Sequence, residues 1–213
     1  MKLEGKKINF LGDSITEGVG NSCGEARYTE LVKKMLGLGE IRNYGISGTR
    51  IANQHKQEME IDSLSFCQRY DQMDNDADVV VVFGGTNDYG HGDAAFGEFS
   101  DRTPDTFYGA CHFLMKSLIE KYPDKQILFM TPMHRSNGYD KKTDREQNLR
   151  DYVHVINEVA EYYSIPVLDL FATLGVCPDV PVQKEMFCPD GLHPNDAGNK
   201  LIAKKLKSFL DAL

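Results

Sequence analysis

VVVVFGGTND, residues 79–88, opens with five apolar residues in a row and then breaks at two glycines. Four of the five are valines, whose branched side chains suit a pleated surface. Neither face of the run carries a polar residue. It predicts a strand covered on both sides, as in a parallel sheet, rather than the half-wet strand of an antiparallel one.

Working outward, KINFL at 7–11 and QILFM at 126–130 are runs of the same kind, IRNYG at 41–45 is a shorter strand, and IPVLDL at 165–170 is a fifth. Segments of helical period lie between them. Tyr28, Leu31, Val32, Met35 and Leu36 form one stripe, stopped by Gly37 and Gly39. Phe107, Cys111, Leu114, Met115, Leu118 and Tyr122 form a second, with a cap and first-turn proline expected at Thr103-Pro104. Leu149, Tyr152, Val153, Ile156 and Val159 form a third, behind Thr143 and Glu146 at capping-box spacing. Ala197, Leu201, Ile202, Leu206, Phe209 and Leu210 close the chain.

Five strands with interposed helices imply an α/β fold, a parallel sheet with helices on both faces. Right-handed crossovers then put the functional loops at the carboxyl ends of the strands. With no repeat, linker or low-complexity tract, residues 1–213 are expected to form one domain. Residues 50–78 are polar and without clean period, and should hold a helix or two covering a sheet edge.

Bulk composition excludes several function classes. The chain is 41% hydrophobic and 26% charged, ordinary for a globular protein. Its 24 Lys and Arg against 32 Asp and Glu give a formal charge of -8, which argues against nucleic-acid partners and anionic membrane surfaces. The start, MKLEGKKINFLGDS, lacks a secretory h-region, and the longest apolar runs are too short to span a bilayer. Five widely spaced cysteines (23, 67, 111, 177, 188) without a CxxC pair read as reduced core thiols, so a cytoplasmic location is expected.

Chemistry-bearing residues gather in four short loops: GDS at 12–14, NYGISG at 43–48, GGTND at 84–88 and PDGLHPN at 189–195. Ser14 is either a turn former or a nucleophile lifted out of the sheet. His193 is the best candidate for the base that a serine hydroxyl needs. Asp190, three residues earlier, can bring a carboxylate to the histidine Nδ1, and Pro194 stiffens the junction. The backbone N–H groups of Ser14 and Gly48 and the side-chain amide of Asn87 can form an oxyanion hole. Asp13 and Asp88 read as structural, bonding loop backbone. His91, His134 and Arg135 follow strand ends and either line a substrate pocket or stand in solvent. Arg50 reads equally as a substrate contact or a salt bridge. His55, His112 and His154 carry no expected chemistry.

GDSITEG, NYGISG, GTND and DGLHPN, in this order, resemble the four blocks of the SGNH (GDSL-type) hydrolases. These are esterases and lipases with a flavodoxin-like three-layer α/β/α sandwich, which here implies a five-stranded parallel sheet. The blocks bracket residues 12–195, and the only departure, Tyr44-Gly45 within the second, is mild. The resemblance implies Ser14 as nucleophile, His193 as base, Asp190 as its orienting acid, and Ser14, Gly48 and Asn87 around the oxyanion, without metal or organic cofactor.

The loops at 88–103 and 132–143 are polar and glycine-rich, and the chain has no tryptophan. They do not offer the broad apolar groove that a long acyl chain needs. The expected substrate is therefore a small-molecule ester: a short acyl group, acetyl above all, on a polar alcohol such as a sugar. The alternatives are a lipase or thioesterase for longer chains, a metal-dependent phosphoesterase using Asp13, Asn87, Asp88, Asp190 and His193, and a non-catalytic carbohydrate-binding module. Nothing in the sequence bears on oligomeric state.

Overall fold

The structure, a computed structural model, describes residues 2–56, 58–140 and 146–213. Five strands, β1 (Lys7–Gly12), β2 (Glu40–Gly45), β3 (Val79–Phe83), β4 (Gln126–Met130) and β5 (Val167–Leu168), form one all-parallel sheet in the order 2-1-3-4-5. This is the flavodoxin-like order, and its topological switch point lies between β1 and β3.

The apolar run of β3 serves two cores at once. Val79, Val81 and Phe83 face one and Val80 and Val82 the other. The helices are α1 (Ser14–Glu17), α2 (Tyr28–Leu36), α3 (Phe66–Arg69), α4 (Thr86–His91), α5 (Phe107–Lys121), α6 (Leu149–Tyr162), α7 (Leu170–Thr173), α8 (Pro181–Phe187) and α9 (Asp196–Ala212). Tyr28 and Val32 of α2 join Ile202 and Leu206 of α9 over Ile8, Phe10 and Val81. On the other face Phe66 of α3, Leu114 of α5 and Ile156 of α6 pack with Val80, Val82 and Phe129. Two apolar faces, each roofed by helices, explain why the central strands β3 and β4 lack polar alternation.

Several boundaries differ from expectation for local reasons. Helix α5 starts at Phe107, because Thr106 Oγ1 accepts from Gly109 N at 3.1 Å and caps it there; Thr103-Pro104 lies outside. Helix α6 starts at Leu149, where Asn148 and Asp151 form the capping box; Thr143 lies outside the described residues. Strand β5 has only two residues, since Pro166 cannot donate to a ladder and Asp169 already caps α7. In the 50–78 segment, α3 lies between 3-10 turns at Glu60–Ser63 and Tyr70–Gln72. Its Phe66, Cys67, Met73 and Ala77 cover a face of the sheet rather than an edge.

All five cysteines are free, but Cys23 is exposed and Cys177 only half-buried, so only three are core thiols. Among the described residues no helix is long and apolar enough to cross a membrane.

Candidate active site

The first two strands end in glycine for a steric reason. A Cβ at Gly12 would lie 1.9 Å from Thr16 Oγ1, and one at Gly45 would lie 2.2 Å from the Glu17 backbone nitrogen. Bare backbone at both strand ends lets α1 rest directly on the sheet. Asp13 caps this helix by accepting from Ile15 N at 3.0 Å, and Gly18, with φ of 109°, ends it. Gly12 and Gly18 thus frame a one-turn helix, and Ser14 is its first residue. Beneath it Arg69, a buried cation, donates to the Gly12 and Tyr44 carbonyls at the ends of β1 and β2.

The 189–195 loop brings the imidazole to this point from the far end of the chain. Asp190 Oδ1 accepts from Leu192 N at 2.8 Å and His193 N at 2.7 Å. Its Oδ2 lies 2.6 Å from His193 Nδ1, and His193 Nε2 lies 3.0 Å from Ser14 Oγ. Burial works to raise the Asp190 pKa, but the bonds from the His193 backbone, the His193 ring and the Leu192 backbone outweigh it and hold the carboxyl below its usual range. Next to the loop, Asn195 caps α9 by accepting from Ala197 and Gly198, so the histidine stands at a fixed corner between α8 and α9.

The start of α1, the loop after β2 and the first turn of α4 supply hydrogen-bond donors. The backbone N–H groups of Ser14 and Gly48 find no acceptor among the described residues, and Gly48 takes a φ of 77°, which glycine adopts without strain. Asn87 Nδ2 donates to Thr49 O at 3.0 Å, leaving its second hydrogen for a ligand. Asn87 Oδ1 lies 3.2 Å from His91 Nε2. Because the amide nitrogen is committed to Thr49, the oxygen must accept, and His91 must donate from Nε2. Burial, with Arg50 and Arg135 nearby, pushes the His91 pKa down and favours this neutral, single-proton ring.

Carboxylates hold these loops together, Glu17 at the surface and Asp88 in the interior. Glu17 Oε2 accepts from both the backbone and the hydroxyl of Ser47, tying the Gly48 loop to α1. Asp88 accepts from Ile51 N and Ala52 N, each at 3.0 Å, tying α4 to the same loop. Desolvation pushes Asp13 up to about 7 and Asp88 up to about 6. Both acids bond loop backbone, the structural role read from the sequence.

A pocket of about 300 Å³ results, lined by Ser14, Gly48, Asn87, His91, Arg135 and His193, with Val19, Ser47, Gly90 and Leu192. Asp190 supports it from behind His193. His134 stays out: its ring stacks on Phe171 at 3.8 Å between centroids and tilts against Tyr139. Arg50 does not line the pocket either, and pairs with Asp62 at 3.0 Å in a buried bridge. Among the described residues no three His, Cys, Asp or Glu side chains gather as metal ligands do. The sequence reading missed Glu17, Ser47, Val19, Gly90 and Leu192. Only Glu17 left a local signal, one turn beyond Ser14 on a helix whose cap, Asp13, was in plain view.

Comparisons with known proteins identify the family and the fold. No curated protein matches the sequence. Among solved structures, one is 33% identical over 100% of this chain and 99% of its own length, with a TM-score of 0.89. A protein from Lactobacillus plantarum is 31% identical over 98% of each chain, with a TM-score of 0.85. At 23% identity, a two-domain esterase active on acetylated mannans shares the fold, covering 98% of this chain and 49% of its own, with a TM-score of 0.69. The model of the GDSL-like lipase/acylhydrolase family matches residues 10–201. The chain is therefore a member of the GDSL-like lipase/acylhydrolase family, and a carboxylic ester hydrolase.

Proposed function

We propose that the chain is a serine esterase that removes short acyl groups, acetyl above all, from a polar alcohol such as a sugar, through an acyl-Ser14 intermediate. The observation that carries this reading is the unbroken line of contacts from Ser14 Oγ through His193 to Asp190.

In the first half-reaction Ser14 Oγ attacks the ester carbonyl carbon as its proton passes to His193 Nε2. The carbonyl electron pair moves onto oxygen, where the N–H groups of Ser14 and Gly48 and the Asn87 amide receive it. Collapse breaks the bond to the alcohol oxygen, which takes the proton from Nε2 and leaves. Water then attacks the acyl-serine with His193 again as base, releasing the carboxylic acid and returning the proton to Ser14. Asp190 remains a carboxylate throughout. It holds Nδ1–H, and so keeps Nε2 free to accept.

The size and lining of the pocket support a short acyl group. About 300 Å³ is the small end of the range for ligand sites, and only Val19 and Leu192 offer sizeable aliphatic surface. The fold shared with an esterase active on acetylated mannans supports an acetylated carbohydrate as the polar alcohol. Chain-length profiling with p-nitrophenyl esters tests the reading. Acetate should exceed octanoate in kcat/KM, and Ser14→Ala should abolish turnover with little change in Tm. Preference for octanoate would reassign the enzyme to the longer-chain lipases.

A further inference from the structure

One wall of the pocket holds a cation with no counter-ion among the described residues. Arg135 donates from Nη1 to the carbonyl oxygen and hydroxyl of Thr86, at 3.2 and 3.3 Å, and its guanidinium sits 5.7 Å from the centre of the Tyr89 ring. Gly90 makes the room: a Cβ there would lie 2.8 Å from Nη1. Among the described residues no carboxylate pairs with Arg135, and its Nε and Nη2 meet no acceptor. The other pocket-lining side chains include no Asp or Glu at all. Asp13 and Asp190 act on Arg135 only at longer range, and Asp13, pushed up to about 7 by burial, is only partly ionised near neutrality. A guanidinium fork this fixed and half-buried, in a chain of formal charge -8, is an unusual place to leave a positive charge unanswered.

We propose that Arg135 anchors an anionic group of the substrate, so that the preferred esters carry a carboxylate on the acylated alcohol, as in an O-acetylated acidic sugar. The inference rests on the short-acyl esterase reading: an acetyl group has no room for a charge, so the alcohol must carry it. Orientation follows from the same geometry. With the carbonyl carbon at Ser14 and its oxygen towards Gly48 and Asn87, a carboxylate meeting Nε and Nη2 of Arg135 directs the alcohol along the Gly90 and His91 side of the pocket.

The test compares two acetylated sugars that differ only in charge, an O-acetyl glucuronate and the corresponding O-acetyl glucuronamide, with p-nitrophenyl acetate as the control for esterase activity. The wild-type enzyme should favour the glucuronate in kcat/KM by roughly ten- to a hundredfold, the range for a hydrogen bond to a charged group. Added salt should narrow that ratio. Arg135→Gln should bring it close to one, and Arg135→Lys, which keeps the charge without the fork, should retain part of it. If p-nitrophenyl acetate is cleaved in a Ser14-dependent way but the two sugars react alike, or if the preference survives Arg135→Gln, the anchor is refuted and the esterase stands. If p-nitrophenyl acetate is not cleaved, both fall.

Discussion

Replacing Asp190 by asparagine should do more harm than replacing it by alanine. One carboxylate oxygen, Oδ1, is fixed by the backbone N–H groups of Leu192 and His193 at 2.8 and 2.7 Å, leaving Oδ2 to face Nδ1 at 2.6 Å. An asparagine in this place must keep its oxygen on the two N–H groups, since the opposite flip would set donors against donors. Its NH2 then points at Nδ1 and forces that nitrogen to accept. The ring proton moves to Nε2, which faces Ser14 Oγ as a donor and can no longer take the serine proton. The same exchange in a serine protease triad costs about 10⁴ in kcat. Alanine removes the charge but lets water meet Nδ1–H, because the Asp190 side chain is 54% exposed. Its cost should be that of one hydrogen bond to a charged group, about 1.5–3 kcal/mol or roughly ten- to 150-fold. The assay is kcat/KM on p-nitrophenyl acetate for the two variants, with Tm recorded to exclude unfolding. Equal losses, or an asparagine variant within a few-fold of wild type, would refute the tautomer argument.

Three further outcomes are expected. Gly45→Ala should push α1 off the sheet, since its Cβ would meet the Glu17 nitrogen at 2.2 Å; a loss of about 1–3 kcal/mol in unfolding free energy, with reduced kcat/KM, checks it. His91→Leu releases the Asn87 amide and should lower kcat about three- to tenfold with KM little changed, and His91→Gln, which can still donate to Asn87 Oδ1, should recover part of that loss. For Asp13 the folded pKa of about 7 lies above the ordinary carboxylate value, so between these two the folded chain holds a proton that the unfolded chain lacks, and stability falls as pH rises. Asp13→Asn mimics the protonated form and keeps the cap, so its Tm advantage over wild type should grow from about pH 5 to about pH 8; a constant difference would contradict the shift.

What the sequence disclosed and what it hid divide along a physical line. β3 and β4 were legible because two covered faces demand uninterrupted apolar runs, β1 because Ile8, Phe10 and Leu11 flank a single polar residue, Asn9, and α2, α6 and α9 because one covered face demands a helical stripe. One-turn helices have no such stripe. α1 and α4 therefore read as loops, although the Asp13 cap and the stacking of α1 on Gly12 and Gly45 depend on them. The short β5 was overread, because Leu170 belongs by burial to the same apolar run but to α7 by hydrogen bonding. In the site, Ser14, Gly48, Asn87, Asp190 and His193 stood out because their residue types are specific to a chemistry and sit in short blocks. The clasp of Glu17 on Ser47, the cation Arg69 under the strand ends, and the removal of His134 into a stack with Phe171 are contacts across long stretches of chain. Such pairings leave no periodicity, and only the folded geometry reveals them.

Treating the enzyme with a fluorophosphonate and mapping the modified peptide asks whether the Ser14 hydroxyl, at 3.0 Å from His193, is an activated nucleophile. One adduct per chain is expected, on Ser14, formed in step with loss of esterase activity and absent from His193→Ala on the same timescale. An adduct on another residue, or full turnover with Ser14 unmodified, would contradict it.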